Sequence, residues 1–157
     1  PIIFLAFGLG SGLSPKAPGT AGSALSLLFF PVLVALGLWG SIGLIVIASI
    51  FGVWLCGAAA DILNVHDHEA IVWDEFVGQW LTLLPLIPIA GWNVQTYSYL
   101  VLGFALFRLF DILKPWPISW CDKHLEGGFG IMFDDVLAGV AAGGLLWLII
   151  NNGWLAF

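Results

Sequence analysis

Ser41-Ile-Gly-Leu-Ile-Val-Ile-Ala-Ser-Ile-Phe-Gly-Val-Trp-Leu-Cys-Gly-Ala-Ala-Ala60 is a run of twenty residues without a charged side chain, and Asp61 follows it at once. About 20 predominantly apolar residues cross the hydrocarbon core of a bilayer as a helix. This run is the second half of a longer uncharged block, 17–60, whose 44 residues suit two crossings. Between the halves, Leu36-Gly-Leu-Trp-Gly40 carries two glycines, which predict a turn.

Two more uncharged blocks follow, 76–107 and 136–157. The first is short for two spans, but its helices can extend from about Ile71 to about Leu113, around turn residues between Pro85 and Gln95. It returns the chain to its starting side either as two full spans or as a re-entrant hairpin. The last block suits one span, roughly Ile131 to Ile150. An even number of passes between the charged segments puts all ten carboxylates and all four Lys/Arg on one side. The expected fold is an all-α membrane protein. It would be a compact bundle of about four to five transmembrane or re-entrant helices with the polar site at one membrane face, and 1–157 would form one domain. The basic residues make that face cytoplasmic by the positive-inside rule.

Composition agrees. The chain is 61% hydrophobic and 9% charged, against about 25% charged in a soluble domain. A net charge of −6 excludes nucleic acid as a partner and is a poor match for anionic lipid unless a cation intervenes. Cys56 and Cys121 have neither disulfide nor metal-type spacing. Sequence offers no handle on oligomeric state.

Four segments could carry chemistry. In Val65-His-Asp-His-Glu-Ala-Ile-Val-Trp-Asp-Glu75, the residues His66, Asp67, His68 and Glu69 read equally well as a solvated loop or as acid–base groups. Asp74 and Glu75 stand at the start of a helix that runs into hydrocarbon, where unpaired carboxylates are costly. In Phe104-Ala-Leu-Phe-Arg-Leu-Phe-Asp-Ile-Leu-Lys-Pro-Trp-Pro117, the spacing i, i+3, i+6 puts Arg108, Asp111 and Lys114 on one helix face. They are either a self-neutralising ladder or a metal ligand flanked by phosphate-holding cations. In Gly127-Gly-Phe-Gly-Ile-Met-Phe-Asp-Asp135, helix capping would need one of Asp134 and Asp135, not both. The loop Gly8-Leu-Gly-Ser-Gly-Leu-Ser-Pro-Lys-Ala-Pro-Gly-Thr-Ala-Gly-Ser23 can offer backbone N–H groups, Lys16 and Thr20 to phosphate oxygens, although alone it also reads as a plain connector.

These parts complement one another. Asp74, Glu75, Asp111, Asp134 and Asp135 supply hard oxygen ligands suited to Mg²⁺ or Mn²⁺ rather than zinc. Clustered carboxylates repel one another and an anionic substrate, and a divalent ion resolves both conflicts. Lys16, Thr20, Arg108 and Lys114 are the candidate phosphate-binding groups. Asp67, His66 and His68 are the candidate catalytic acid–base groups. A transporter is the rival reading, but it would place acids in mid-span, and the mid-span residues are uncharged.

Taken together and in order, these four segments closely resemble the bacterial phosphatidylglycerophosphatase A family over nearly the whole chain. The resemblance implies a Mg²⁺-dependent, multi-pass enzyme of the inner membrane whose partner is a membrane phospholipid. It would hydrolyse the terminal phosphomonoester of phosphatidylglycerophosphate to phosphatidylglycerol and phosphate.

Overall fold

The computed structural model describes residues 1–65 and 68–154, and all regular structure among them is helical. The short α1 (Ile2–Ala6) and a 3-10 segment, Gly8–Leu13, lead to α2 (Pro18–Ser26). A 3-10 turn, Leu27–Phe29, joins α2 to α3 (Phe30–Leu63). Helix α3 is not one rod. Gly37 has φ 67° and ψ 177°, a conformation that glycine adopts without steric cost. The Ser41 hydroxyl donates to the Leu33 carbonyl at 2.8 Å, whereas eight residues of straight helix advance about 12 Å. The chain therefore folds back at Gly37, inside the expected turn 36–40. Phe30 already lies at the far end of the bundle against Trp92, and Gly57 has returned to the backbone of Gly128 at the near end.

The next pair of elements runs out through the bundle and back. Helix α4 (Trp73–Leu83) has 11 residues and continues as a 3-10 segment, Leu84–Ile89, that contains Pro85 and Pro88. At 1.5 and 2.0 Å per residue the two advance at most about 28 Å, close to the ~30 Å of a hydrocarbon core. Phe76, Val77, Gln79, Trp80 and Thr82 of α4 are all buried, so this is the central helix. Its indole Trp80 Nε1 donates to the Ser26 carbonyl of α2. Helix α5 (Val94–Leu113) begins where the Asn93 side chain accepts from the Thr96 N–H at 2.9 Å, a standard N-cap. It runs back antiparallel to α4, with Gly103 against Leu83 and Phe107 against Gly78.

A short α6 (Ile118–His124) crosses the near end, and α7 (Gly127–Asn151) runs out again through the bundle. A Cβ on Gly139 would lie 2.5 Å from the Gly78 carbonyl, so α7 and α4 touch backbone to backbone, as small residues permit in membrane bundles. Three helical stretches, Pro18–Leu63, Val94–Leu113 and Gly127–Asn151, are long and apolar enough to cross a membrane. With the reversal at Gly37, the first of them makes two passes. The bundle surface is apolar, with Ile47, Ile50, Val101 and Val140 exposed. Exposed Trp39, Trp92 and Trp154 mark the far end, and Trp116 and Trp120 the near end, as tryptophans do at the two faces of a bilayer.

Candidate active site

Every charged side chain among the described residues lies at the near end, in the connections and adjoining helix turns of α2, α3, α4, α5, α6 and α7. There a cavity of about 300 Å³ is lined by Gly19, Asp74, Glu75, Arg108, Asp111, Lys114, Asp122 and Asp134 among others. Asp74 and Glu75 come from the first turn of α4. The N-terminus of α2 faces the same space through Ala17, Pro18 and Gly19, without a side-chain cap on its free N–H groups.

One oxygen from each of Asp74, Glu75 and Asp135 lies within 4.8 Å of the others. Opposite ligands around Mg²⁺ are about 4.2 Å apart at bond lengths near 2.1 Å, so small side-chain movements would enclose an ion. Buried Glu75 Oε2, Asp134 Oδ1 and Asp135 Oδ2 have no hydrogen-bond partner among the described residues. Buried carboxylate oxygens without donors are costly. The donor set thus fits a hard divalent cation.

The cations are placed against other acids. Arg108 Nη1 sits 2.6 Å from Asp111 Oδ2 and 4.0 Å from Glu75 Oε1, and donates to Ser23 Oγ at 3.4 Å. Asp111 also reaches Asp135, so it borders the trio of acids while paired to Arg108. Lys114 Nζ lies 2.5 Å from both Asp122 Oδ1 and Asp134 Oδ2. Burial lowers the Lys114 pKa, but the two carboxylates outweigh it and hold the ammonium above its ordinary range.

Two sequence expectations are corrected here. Lys114 does not continue the Arg108–Asp111 helix face. It is the C-cap of α5 with φ 41° and ψ 59°, because the following Pro115 disfavours helix at the residue before it. It reaches the same cavity from outside the helix. Asp134 and Asp135 do not sit near a helix start at Ile131. Helix α7 begins at Gly127, so both acids lie two turns inside it and capping cannot be their role.

Other expected site residues lie elsewhere. His66 and Asp67 fall outside the described residues. His68 and Lys16 line a neighbouring cavity that shares Pro18 and Glu69 with the first. His68 stacks on Phe7 and accepts the Ala70 N–H at Nδ1, which leaves Nε2 for other contacts. Thr20 stands in the first turn of α2, beside the cavity but not in its lining.

Sequence reasoning missed three contributors. Ser23 supports Arg108. A Cβ on Gly19 would lie 2.3 Å from Glu75 Oε1 and 3.1 Å from Arg108 Nη1, so this glycine makes room for the carboxylate and guanidinium. Asp122 holds Lys114. The glycine was visible as part of a glycine-rich loop, but nothing local to Ser23 or Asp122 signals a partner 85 or 8 residues away.

The arrangement can therefore hold a divalent cation beside an anion, with one guanidinium and one ammonium group on its rim. Comparison with known proteins narrows this. The family described as Phosphatidylglycerophosphatase A matches residues 4–150. The protein named phosphatidylglycerophosphatase A of Escherichia coli (strain K12) is 45% identical over 95% of this chain and 83% of its own length. The protein of that name from Haemophilus influenzae is 48% identical over 90% of this chain and 84% of its own. A relative from Bacteroides thetaiotaomicron, with a provisional phosphatidylinositol-3-phosphatase name, is 38% identical over 88% of this chain and 86% of its own. No solved structure matches.

Proposed function

Since the chain belongs to the phosphatidylglycerophosphatase A family, we propose that it hydrolyses the terminal phosphomonoester of phosphatidylglycerophosphate to phosphatidylglycerol and phosphate, with Mg²⁺ as cofactor and Mn²⁺ as a substitute. The observation that carries this reading is the trio Asp74, Glu75 and Asp135, set beside a clamped arginine and lysine at the aqueous end of an apolar bundle. The trio would hold the ion, with Asp111 and Asp134 at its border. When bound, such an ion polarises phosphoryl oxygens and lowers the pKa of water.

The remaining work falls to the chain's own groups. Arg108 is already oriented by Asp111 and Ser23, so it can meet charge developing on the phosphoryl oxygens without reorganisation. Lys114 lines the same cavity. The free N–H groups at the start of α2 add donors to an anion. Attack by water on phosphorus breaks the bond to the glycerol oxygen, which must then gain a proton. His66, Asp67 and His68 are the candidates for taking the proton from water and returning it to the leaving oxygen. Lys16 and Thr20 would bind the phosphate-bearing headgroup at the cavity edge. The acyl chains would remain in the bilayer beside the apolar helices. All four Lys/Arg lie on the site side, which by the positive-inside rule supports a cytoplasmic face for the site, and the membrane would be the bacterial inner membrane.

Purified protein in mixed micelles tests this directly. Phosphate release is expected from phosphatidylglycerophosphate, to stop with EDTA, and to return with Mg²⁺. Phosphatidic acid and phosphatidylinositol 3-phosphate are expected to be poorer substrates. Release that ignores EDTA, or equal rates on all three lipids, would contradict the proposal.

A further inference from the structure

Lys114 is the cation nearest to open water on the cavity rim, and it is doubly engaged. Its two carboxylates differ in kind. Asp134 belongs to α7, its side chain is 8% exposed, and it adjoins Asp135. Asp122 belongs to the short surface helix α6, and its side chain is 36% exposed. Both oxygens lie 2.5 Å from Nζ, and Asp122 and Lys114 both line the cavity. Lys114 is also held in a left-handed backbone conformation. A non-glycine residue in that region is uncommon and clusters at functional sites.

One ammonium with two carboxylates carries a net negative charge, an odd provision for receiving a phosphate. The asymmetry of exposure supplies a reason. A water-exposed ion pair is weak and yields easily to a better acceptor, whereas breaking a buried pair leaves an uncompensated charge. An arriving phosphate dianion would displace Asp122 and leave Asp134 in place.

We infer that Asp122 is a placeholder, whose carboxylate occupies on Lys114 the position a substrate phosphate oxygen takes. This deepens the phosphomonoester reading above and rests on it. Asp122 keeps Lys114 extended over the cavity between turnovers, in place of collapsing fully onto Asp134. It also competes with product phosphate and so assists release. Asp122 is a positioning residue, because it acts through Lys114.

The sign of the effect is diagnostic. Loss of a catalytic or merely structural group weakens phosphate binding or leaves it alone, whereas loss of a competitor tightens it. Asp122→Asn is expected to lower the inhibition constant of inorganic phosphate and the KM about two- to fivefold, as expected for removing one exposed ion pair, with no rise in kcat. The conservative Asp122→Glu should restore wild-type values. The decisive readout is protection from thermal unfolding by inorganic phosphate, titrated in the presence of Mg²⁺ for wild type, D122N, D122E and Glu126→Gln. The last removes an exposed acid from the same face, at a position without a side-chain cap role, and controls for bulk charge. Should D122N not fold, Asp122→Ser carries the same expectation. Tighter phosphate binding in D122N alone supports the inference. Unchanged or weaker binding in D122N, or equal tightening in E126Q, overturns it while leaving the phosphatase reading intact. If phosphate does not protect even the wild type, the inference falls, while phosphate release from the lipid tests the phosphatase reading separately.

Discussion

The two ends of this bundle are built from the same helices and could hardly differ more. The far end, around Gly37, Trp92 and Trp154, has no charged side chain among the described residues. It turns the chain with glycine, proline and an Asn93 cap. The near end collects every charged side chain among the described residues and buries several: Asp74, Asp134 and Asp135 are under a tenth exposed. The far end caps α5 with Asn93 and carries exposed tryptophans. The near end leaves oxygens of Glu75, Asp134 and Asp135 without donors among the described residues. A fold that can make one end free of electrostatic conflict and concentrates conflict at the other has a use for it.

Sidedness is the most drastic way to break this contrast. Single cysteines at positions 69 and 123 should label from one side of sealed vesicles, and cysteines at 39 and 92 from the other. Labelling of 69 and 123 from opposite sides would sink the one-face arrangement. Next in size is Asp135→Asn. It removes a ligand oxygen and should lower phosphate release about 10²- to 10³-fold, the loss typical of removing one electrostatic group from a preorganised site. Thermal stability of the metal-free protein should be unchanged or higher, because a buried like-charge contact is relieved. A parallel loss of stability would make Asp135 structural.

Smaller effects are expected away from the site. Gly139→Ala drives a methyl into the Gly78 carbonyl and should destabilise by about 1–3 kcal/mol. The near-end acids on α4 and α7 should lose their register with it, so activity falls more than the folded fraction does. Gly37→Ala forces a Cβ into a positive-φ position with open space around it and should cost about 1–3 kcal/mol. Activity per folded molecule should stay at the wild-type level. Equal activity losses in both variants would mean that the two ends are not separable.

The contrast between the ends was legible in the sequence because absence of charge is a one-dimensional signal. Blocks 17–60, 76–107 and 136–157 declare membrane burial without any contact information. The reversal near Gly37 was legible from glycine alone. The depth and partners of the near-end residues were not. Lys114 follows the helical spacing of Arg108 and Asp111, but Pro115 ends the helix and moves it off that face. Asp134 and Asp135 looked terminal because the glycines before them read as a loop, whereas Gly127–Asn151 is continuous helix. Five acids looked alike as ligands. Packing of α4 against α7 and α5 sorts them into a close trio, an arginine partner and a lysine partner. Asp122 drew no notice because only the tertiary approach of α6 to the end of α5 gives it a role.

The central claim is that Asp74, Glu75 and Asp135 form a cation site. Titration of Mn²⁺ into the purified protein, followed by electron paramagnetic resonance, addresses it without relying on turnover. Wild type and Asp61→Asn should bind the ion with the same affinity, and Asp74→Asn and Asp135→Asn should bind it at least tenfold more weakly. Undiminished binding in both site variants, or none in the wild type, would contradict it.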